Sequence, residues 1–282
     1  MRSVQIRRDG ATAMRFAAVQ HEIDWETPSS TRRRILDLLS TTKADQAPEF
    51  LLLPELCETG FSLDLDVVAD LEADGRSSEA WASDLAVERG SFVQIGHATR
   101  AADGRGLNRA SILGPDGGLV GRYDKIHPFS FAKEDRVYAP GRTVEVLNCG
   151  GFKVCPLVCY DLRFPEIWRH GVRAGAEVFT IGASWPAKRQ HHWRSLLIAR
   201  AIENQAYVVA CNRIGRDPSH DYAGGSMVIS PLGEVLAEGG ADAAIVAADL
   251  DRDALLDWRR TFPALCDLQA RWLDGETAEH SR

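Results

Sequence analysis

The sequence predicts an α/β protein in which mixed β-sheet is covered on its outside by helices. Two observations carry this. Short runs rich in β-branched and apolar residues alternate with segments of helical period along most of the 282 residues, and two Pro/Gly-containing stretches, GPDGG (114–118) and SPLGE (230–234), join strand-like runs directly, as hairpin turns do. Hairpins among alternating strands and helices exclude a purely parallel, doubly wound sheet.

Element by element, strands are expected at MRFAAV (14–19), FLLL (50–53), FVQIGHA (92–98), ASIL (110–113), KVCPLVCY (153–160), VFTIGAS (178–184), YVVACN (207–212), SMVIS (226–230) and AIVAADL (244–250). Helices are expected over 29–42, 77–90, 165–175 and 188–205. In the last, Trp193, Leu196, Leu197 and Ala201 follow the i, i+3, i+4, i+8 spacing of a buried face. The RRR run at 32–34 reads as the solvated side of its helix. No Ser/Gly/Pro-rich linker divides the chain, so one domain is expected over 14–282, with a C-terminal tail and residues 1–13 as an extension outside the domain.

Composition narrows the function classes. With 45% hydrophobic residues there is ample material for a core, and a net charge of −7 argues against nucleic acid or an anionic membrane surface as partner. No run of about 18 apolar residues occurs and the basic start lacks the apolar core of a signal peptide, so a cytoplasmic protein is expected. The six cysteines show neither C-x-x-C pairs nor zinc spacing with histidine, and His191 and His192 are adjacent, so no disulfide framework and no metal site are expected. No Gly-rich phosphate loop opens a helix.

Cys57, Cys149, Cys155, Cys211 and Cys266 read as inert packing. Cys159 differs by position: it ends an apolar run, Asp161 and Arg163 follow, and Pro165 suits the first turn of a helix. Strand ends that lead into helices are where α/β proteins present reactive groups. Glu55 sits where FLLL would emerge from a sheet, Lys125 at the end of a second hairpin strand, and Glu134 in the loop beyond. A free thiol, ordinarily near 8.5, is only a few per cent thiolate at neutral pH and needs a base. A carboxylate accepts that proton at a cost of roughly 5–6 kcal/mol unless an apolar setting makes it more basic. A lysine beside both favours thiolate and stabilises an oxygen that turns negative when a carbonyl is attacked; the Tyr160 backbone N–H is placed to be a second donor.

With LPELCETGF around Glu55, GRYDKIHPF around Lys125 and VCYDLRFPE around Cys159, the chain resembles the nitrilase superfamily of carbon–nitrogen hydrolases over residues 14–270. The resemblance implies a four-layer αββα sandwich, pairing into homodimers or higher homo-oligomers, and no cofactor. It implies Glu55 as general base, Lys125 as oxyanion stabiliser, Cys159 as nucleophile and Glu134, in EDRVYAPG, as a second glutamate that positions substrate and water. The short loop between Lys125 and Glu134 is similar to that of the ω-amidase branch, whose substrates are small ω-amides such as 2-oxoglutaramate or 2-oxosuccinamate; Pro128, where that branch often has leucine, departs from it. A distal substrate carboxylate would need a cation, for which Arg163, Lys188 and Arg189 are candidates, Arg163 having an ion pair with Asp161 or Glu166 as its alternative role. Phe61 and Trp185 are candidate pocket walls. Other expectations for the same architecture are nitrile or carbamoyl-amide hydrolysis by the same triad, and binding without turnover.

Overall fold

The computed structural model describes residues 13–70, 72–73 and 76–269. Of the extension expected over 1–13 only Ala13 falls among these, where it opens the first strand; the tail beyond 269 lies outside the described residues. The chain runs through β1 (Ala13–Gln20), α1 (Pro28–Ser40), β2 (Phe50–Leu52), the single turn α2 (Leu65–Val68), the small hairpin β3 (Glu72–Ala73) and β4 (Arg76–Ser77), α3 (Ser78–Arg89), β5 (Phe92–Arg100), β6 (Gly106–Leu113) and β7 (Leu119–Asp124). It continues through β8 (Leu147–Cys149), β9 (Phe152–Val158), α4 (Pro165–Arg173), β10 (Val178–Ala183), α5 (Gln190–Asn204), β11 (Tyr207–Asn212), the hairpin β12 (Ile214–Arg216) and β13 (Asp221–Ala223), β14 (Met227–Ile229), β15 (Val235–Glu238), β16 (Ala244–Asp251) and α6 (Arg252–Thr261).

Two six-stranded sheets result, ordered β16-β1-β2-β5-β6-β7 and β15-β14-β11-β10-β9-β8. Each has a parallel centre (β1-β2-β5 and β9-β10-β11) and antiparallel flanks. The hairpins expected at 114–118 and 230–234 join β6 to β7 and β14 to β15. Period-2 alternation assigns the layers. Along β1, Phe16 and Ala18 face the other sheet, where Phe152, Val154 and Val209 meet them, while Ala17 and Val19 face Ile35 and Leu39 of α1 and Leu85 of α3. On the far side, Leu157 and Ile181 meet Trp168 of α4 and Trp193 of α5. The architecture is therefore the four-layer αββα sandwich. Phe16 stacks on Phe50 at 4.7 Å and meets Phe152 edge-on at 5.7 Å, so aromatic packing spans the sheet interface; each such buried ring contributes about 1.5–3 kcal/mol.

The helix signals act where the sequence places them. Ser77 accepts from the Ala80 N–H to cap α3, Gly90 closes it in the left-handed region, and Pro28 and Pro165 open α1 and α4. Four expectations need correction. The strand expected over 153–160 stops at Val158, and Cys159–Arg163 form a 3-10 turn. Arg32 is not solvated: it shares the face of Ile35 and Leu39, i+3 and i+7 away, and pairs with Glu58, both fully desolvated beneath the loop that carries Glu55. Leu196 is only half-buried, while Arg200 and Asn204 complete the inner face of α5. Cys266 is exposed, because it lies on a 3-10 turn at the surface after α6.

Candidate active site

The site lies at the ends of the central strands of both sheets. Glu55 follows β2 in a tight turn whose next residue, Leu56, has φ +44°. This backbone threads between one glycine of each sheet. A Cβ at Gly96 of β5 would come within 2.5 Å of the Pro54 carbonyl oxygen, and one at Gly182 of β10 within 2.7 Å of the Leu53 carbonyl oxygen and 3.1 Å of the Glu55 nitrogen. The paired glycines let a carboxylate enter the layer between the sheets. Gly182→Ala is therefore expected to lower unfolding free energy by about 1–3 kcal/mol in urea, and unchanged stability would show that the loop yields freely.

Cys159 comes directly off β9 with φ +44°, a left-handed conformation that costs of order 1–3 kcal/mol for a residue with a side chain. It persists because the turn is over-determined by Asp161, a fully buried carboxylate. Asp161 accepts from Tyr123 Oη (2.7 Å), the His127 N–H (3.1 Å) and the Val158 N–H (3.1 Å), and lies 2.9 Å from His127 Nδ1. Asp161 thus ties the cysteine turn to the end of β7, where Lys125 stands. It has no bond to Arg163, so that ion pair does not form.

Lys125, 1% exposed, donates to Glu55 Oε1 (2.7 Å) and to Glu134 Oε2 and Oε1 (2.8 and 3.1 Å). An ammonium has three N–H groups, and of these three contacts the longest, 3.1 Å to Glu134 Oε1, is the one that an oxygen entering the cavity Lys125 lines can replace. Glu55 Oε2 accepts from the Ser184 N–H (3.0 Å), and Glu134 Oε2 from the Phe129 N–H (2.6 Å). Burial by itself would lower the Lys125 value, but the charges of Glu134 and Glu55 outweigh it and hold the ammonium well above its usual range. Burial pushes the Glu134 carboxyl up, with Lys125 opposing. The Cys159 thiol is pushed well above its usual value by burial and then by the charge of Glu55, only partly offset by Lys125. A thiol held that far up is neutral at rest, and a base beside it is what would let it react.

Above this base a cleft of about 430 Å³ opens. Phe61, Tyr160, Arg163 and Trp185 line it, and Tyr160 is the second residue of the 3-10 turn, where a backbone N–H has no acceptor within its own helix. Arg163 lies over the Trp185 ring, 4.8 Å from its centroid, and Arg189 over Phe129, at 5.4 Å. Among the described residues neither guanidinium is paired with a carboxylate. Burial, then the nearby positive charge of Arg189, lowers the Arg163 value. Lys188 does not face the cleft: successive side chains of the 3-10 turn Ala187–Arg189 diverge by about 120°, so Arg189 points in and Lys188 into solvent.

Beyond the residues expected from sequence, the site also includes Asn108, Ser184 and the His220 and Tyr222 side chains that the β12–β13 hairpin brings to the mouth. Asn108 had a signal: it is a polar residue in the buried register of β6, where an apolar one would be expected. Ser184 acts through its backbone, and the hairpin's approach depends on tertiary packing alone. Among the described residues no group of three His, Cys, Asp or Glu is placed to hold a metal ion, and no helix is long and apolar enough to cross a membrane.

A family model described as "Carbon-nitrogen hydrolase" matches residues 15–260. The chain is 36% identical over 255 residues to a 2-oxoglutaramate amidase of Bacillus subtilis, covering 90% of this chain and 97% of that protein. It is 35% identical over 257 residues to the omega-amidase YafV of Escherichia coli K12, covering 90% and 96%. Among solved structures it superposes, with a TM-score of 0.84 and 32% identity over 91% of this chain and 97% of the other, on a CN-hydrolase superfamily protein from Xanthomonas campestris that bears an arsenic adduct in its active site.

Proposed function

This chain belongs to the carbon–nitrogen hydrolase family and is an enzyme of the kind that hydrolyses non-peptide amides; from that premise we propose that it is an ω-amidase, cleaving a small amide that carries a carboxylate at its far end. The observation that carries this reading is a buried Glu55–Lys125–Glu134 cluster beside Cys159, at the base of a cleft whose mouth holds two guanidiniums without carboxylate partners. The names of the relatives, 2-oxoglutaramate amidase and omega-amidase, agree in substrate class.

In this mechanism Glu55 takes the thiol proton as the sulfur bonds to the amide carbon. The carbonyl π electrons move onto oxygen, where a Lys125 N–H turned from Glu134 Oε1 and the Tyr160 backbone N–H receive the charge. Glu55 passes the proton to nitrogen, the C–N bond breaks, and ammonia leaves a thioester on Cys159. A water, held by Glu55 and Glu134, then loses a proton to Glu55 and attacks the thioester; the C–S bond breaks, the sulfur regains its proton and a carboxylate product departs. The high-lying thiol suits this scheme, in which the sulfur gives up its proton only as it attacks an electrophile that has entered the site. Arg163 and Arg189 are assigned to the distal carboxylate, Phe61 and Trp185 to the walls.

Ammonia release from 2-oxoglutaramate, a neutral amide of equal length, a nitrile and a carbamoyl amino acid tests the reading. Preference for 2-oxoglutaramate is expected. Arg163→Gln and Arg189→Gln should each raise its KM at least about tenfold, the worth of one charge-assisted hydrogen bond, while leaving the neutral amide unaffected. Equal use of the neutral amide by the wild type, or faster attack on the nitrile or carbamoyl compound, would overturn the substrate assignment.

A further inference from the structure

One residue outside the roles above touches all three of Glu55, Glu134 and Lys125, the two glutamates through its side chain and the lysine through its backbone. Asn108 is 2% exposed in β6. Its Nδ2 donates to Glu55 Oε1 at 2.8 Å and to Glu134 Oε1 at 2.9 Å, using both of its N–H groups, and its backbone carbonyl accepts the backbone N–H of Lys125 at 2.9 Å. Its Oδ1 is buried without a partner. An orphaned buried carbonyl is a cost that native interiors seldom carry. The orientation is nevertheless the only one the surroundings allow, since the reverse would press Oδ1 against two carboxylates.

The acceptor arithmetic shows what this achieves. Glu55 Oε1 is filled by Lys125 and Asn108, so the carboxylate is pinned through one oxygen, and Oε2, steadied by the Ser184 N–H, is the oxygen left for proton traffic. Lysine alone is a flexible point charge and fixes no rotation of either carboxylate; a planar amide donating to both does. Asn108 does not line the cleft, so it acts through the glutamates.

We propose that Asn108 is a positioning residue: its amide clamps Glu55 and Glu134 in one fixed relation, so that the oxygen accepting the thiol proton and the carboxylate orienting water stay aligned through both half-reactions. This rests on the amidase mechanism above, in which Glu55 is the base.

The test is Asn108→Leu, which keeps the branching and heavy-atom count of asparagine without a donor. Turnover of 2-oxoglutaramate should show kcat down by about 100-fold, the scale of a misplacement of about 1 Å, with KM within about threefold. The acidic limb of kcat/KM should move to higher pH, because Glu134, already pushed up by burial, loses a donor to its charged form. Alkylation of Cys159 by iodoacetamide, which needs no substrate, should slow by at least about tenfold. A variant with wild-type kcat and alkylation rate overturns the proposal, as does a fall in both with an unmoved acidic limb. Should the leucine variant not fold, Asn108→Asp is read instead: its carboxyl donates only when protonated, so alkylation must fall with rising pH relative to wild type, and a parallel profile overturns the proposal. If the wild type itself hydrolyses no amide, the functional reading fails while alkylation still decides the clamp.

Discussion

Replacing Cys159 with alanine is expected to abolish ammonia release, lowering kcat by at least about 10⁴-fold, while the fold survives. Among the described residues that line the cleft Cys159 is the only thiol, and alanine supplies no nucleophile in its place. Alanine keeps the left-handed backbone strain at position 159 and removes one buried atom, so the urea midpoint should change little. Intact-mass measurement during turnover supplies the second half of the test: the wild type should show an acyl adduct that the variant lacks. Turnover persisting in the alanine variant would refute the thiol mechanism outright. The exposure of Cys266 sharpens the chemistry of labelling: iodoacetamide should modify Cys266 as an ordinary thiol, Cys159 in a manner that substrate blocks, and the buried Cys57, Cys149, Cys155 and Cys211 not at all in the folded protein.

Lys125→Met should damage both stability and activity, for one reason. The ammonium is the shared counter-charge of two carboxylates that are each at most 1% exposed, and its loss leaves two buried negative charges facing each other. Breaking such an arrangement costs about 3–5 kcal/mol, and in the proposed mechanism the loss of an oxyanion donor lowers kcat by about 10²–10³-fold as well. The pH dependence has a definite sign. In the wild type the folded Lys125 holds its proton more tightly than the unfolded chain does, so its contribution is complete below about pH 10 and is lost as pH rises through the still higher folded value. In the methionine variant the folded Glu134 binds its proton more tightly than the unfolded chain does, so urea stability should rise as pH falls from neutrality toward the ordinary carboxylate range. A second change, Glu134→Gln, should recover much of the stability and none of the activity. A methionine variant as stable as wild type, with the same pH profile, would mean that the cluster is not electrostatically coupled as its geometry requires.

How far the site was legible follows from the kind of signal each residue carries. Glu55, Lys125, Glu134 and Cys159 sit in segments whose local pattern is unusual: charge at the end of an apolar run, a thiol before a helix-opening proline. Arg32 was misread because a run of three arginines looks solvated, whereas helical period places the first of them on the buried face beside Ile35 and Leu39 and opposite Glu58. Lys188 and Arg189 cannot be told apart in sequence; the three-residue turn that aims one inward and the other outward does that. Gly96 and Gly182 read only as glycines in strands, and their use, admitting the Glu55 backbone between two sheets, exists only once both sheets are stacked.

By itself the amino-acid order predicted nine of the strands and four of the helices, and its motifs carried the resemblance to carbon–nitrogen hydrolases, since periodicity and short motifs act over a few residues; α6 and the short strands β8, β12 and β13 lay outside that prediction. Only the tertiary structure decided that Asn108 bridges two glutamates 26 and 53 residues away, that Asp161 locks the cysteine turn, and that two unpaired guanidiniums face the cleft. Such contacts depend on where two stacked sheets bring distant strand ends, and hydrogen bonds and ion pairs are settled by distances of tenths of an ångström that no local pattern encodes.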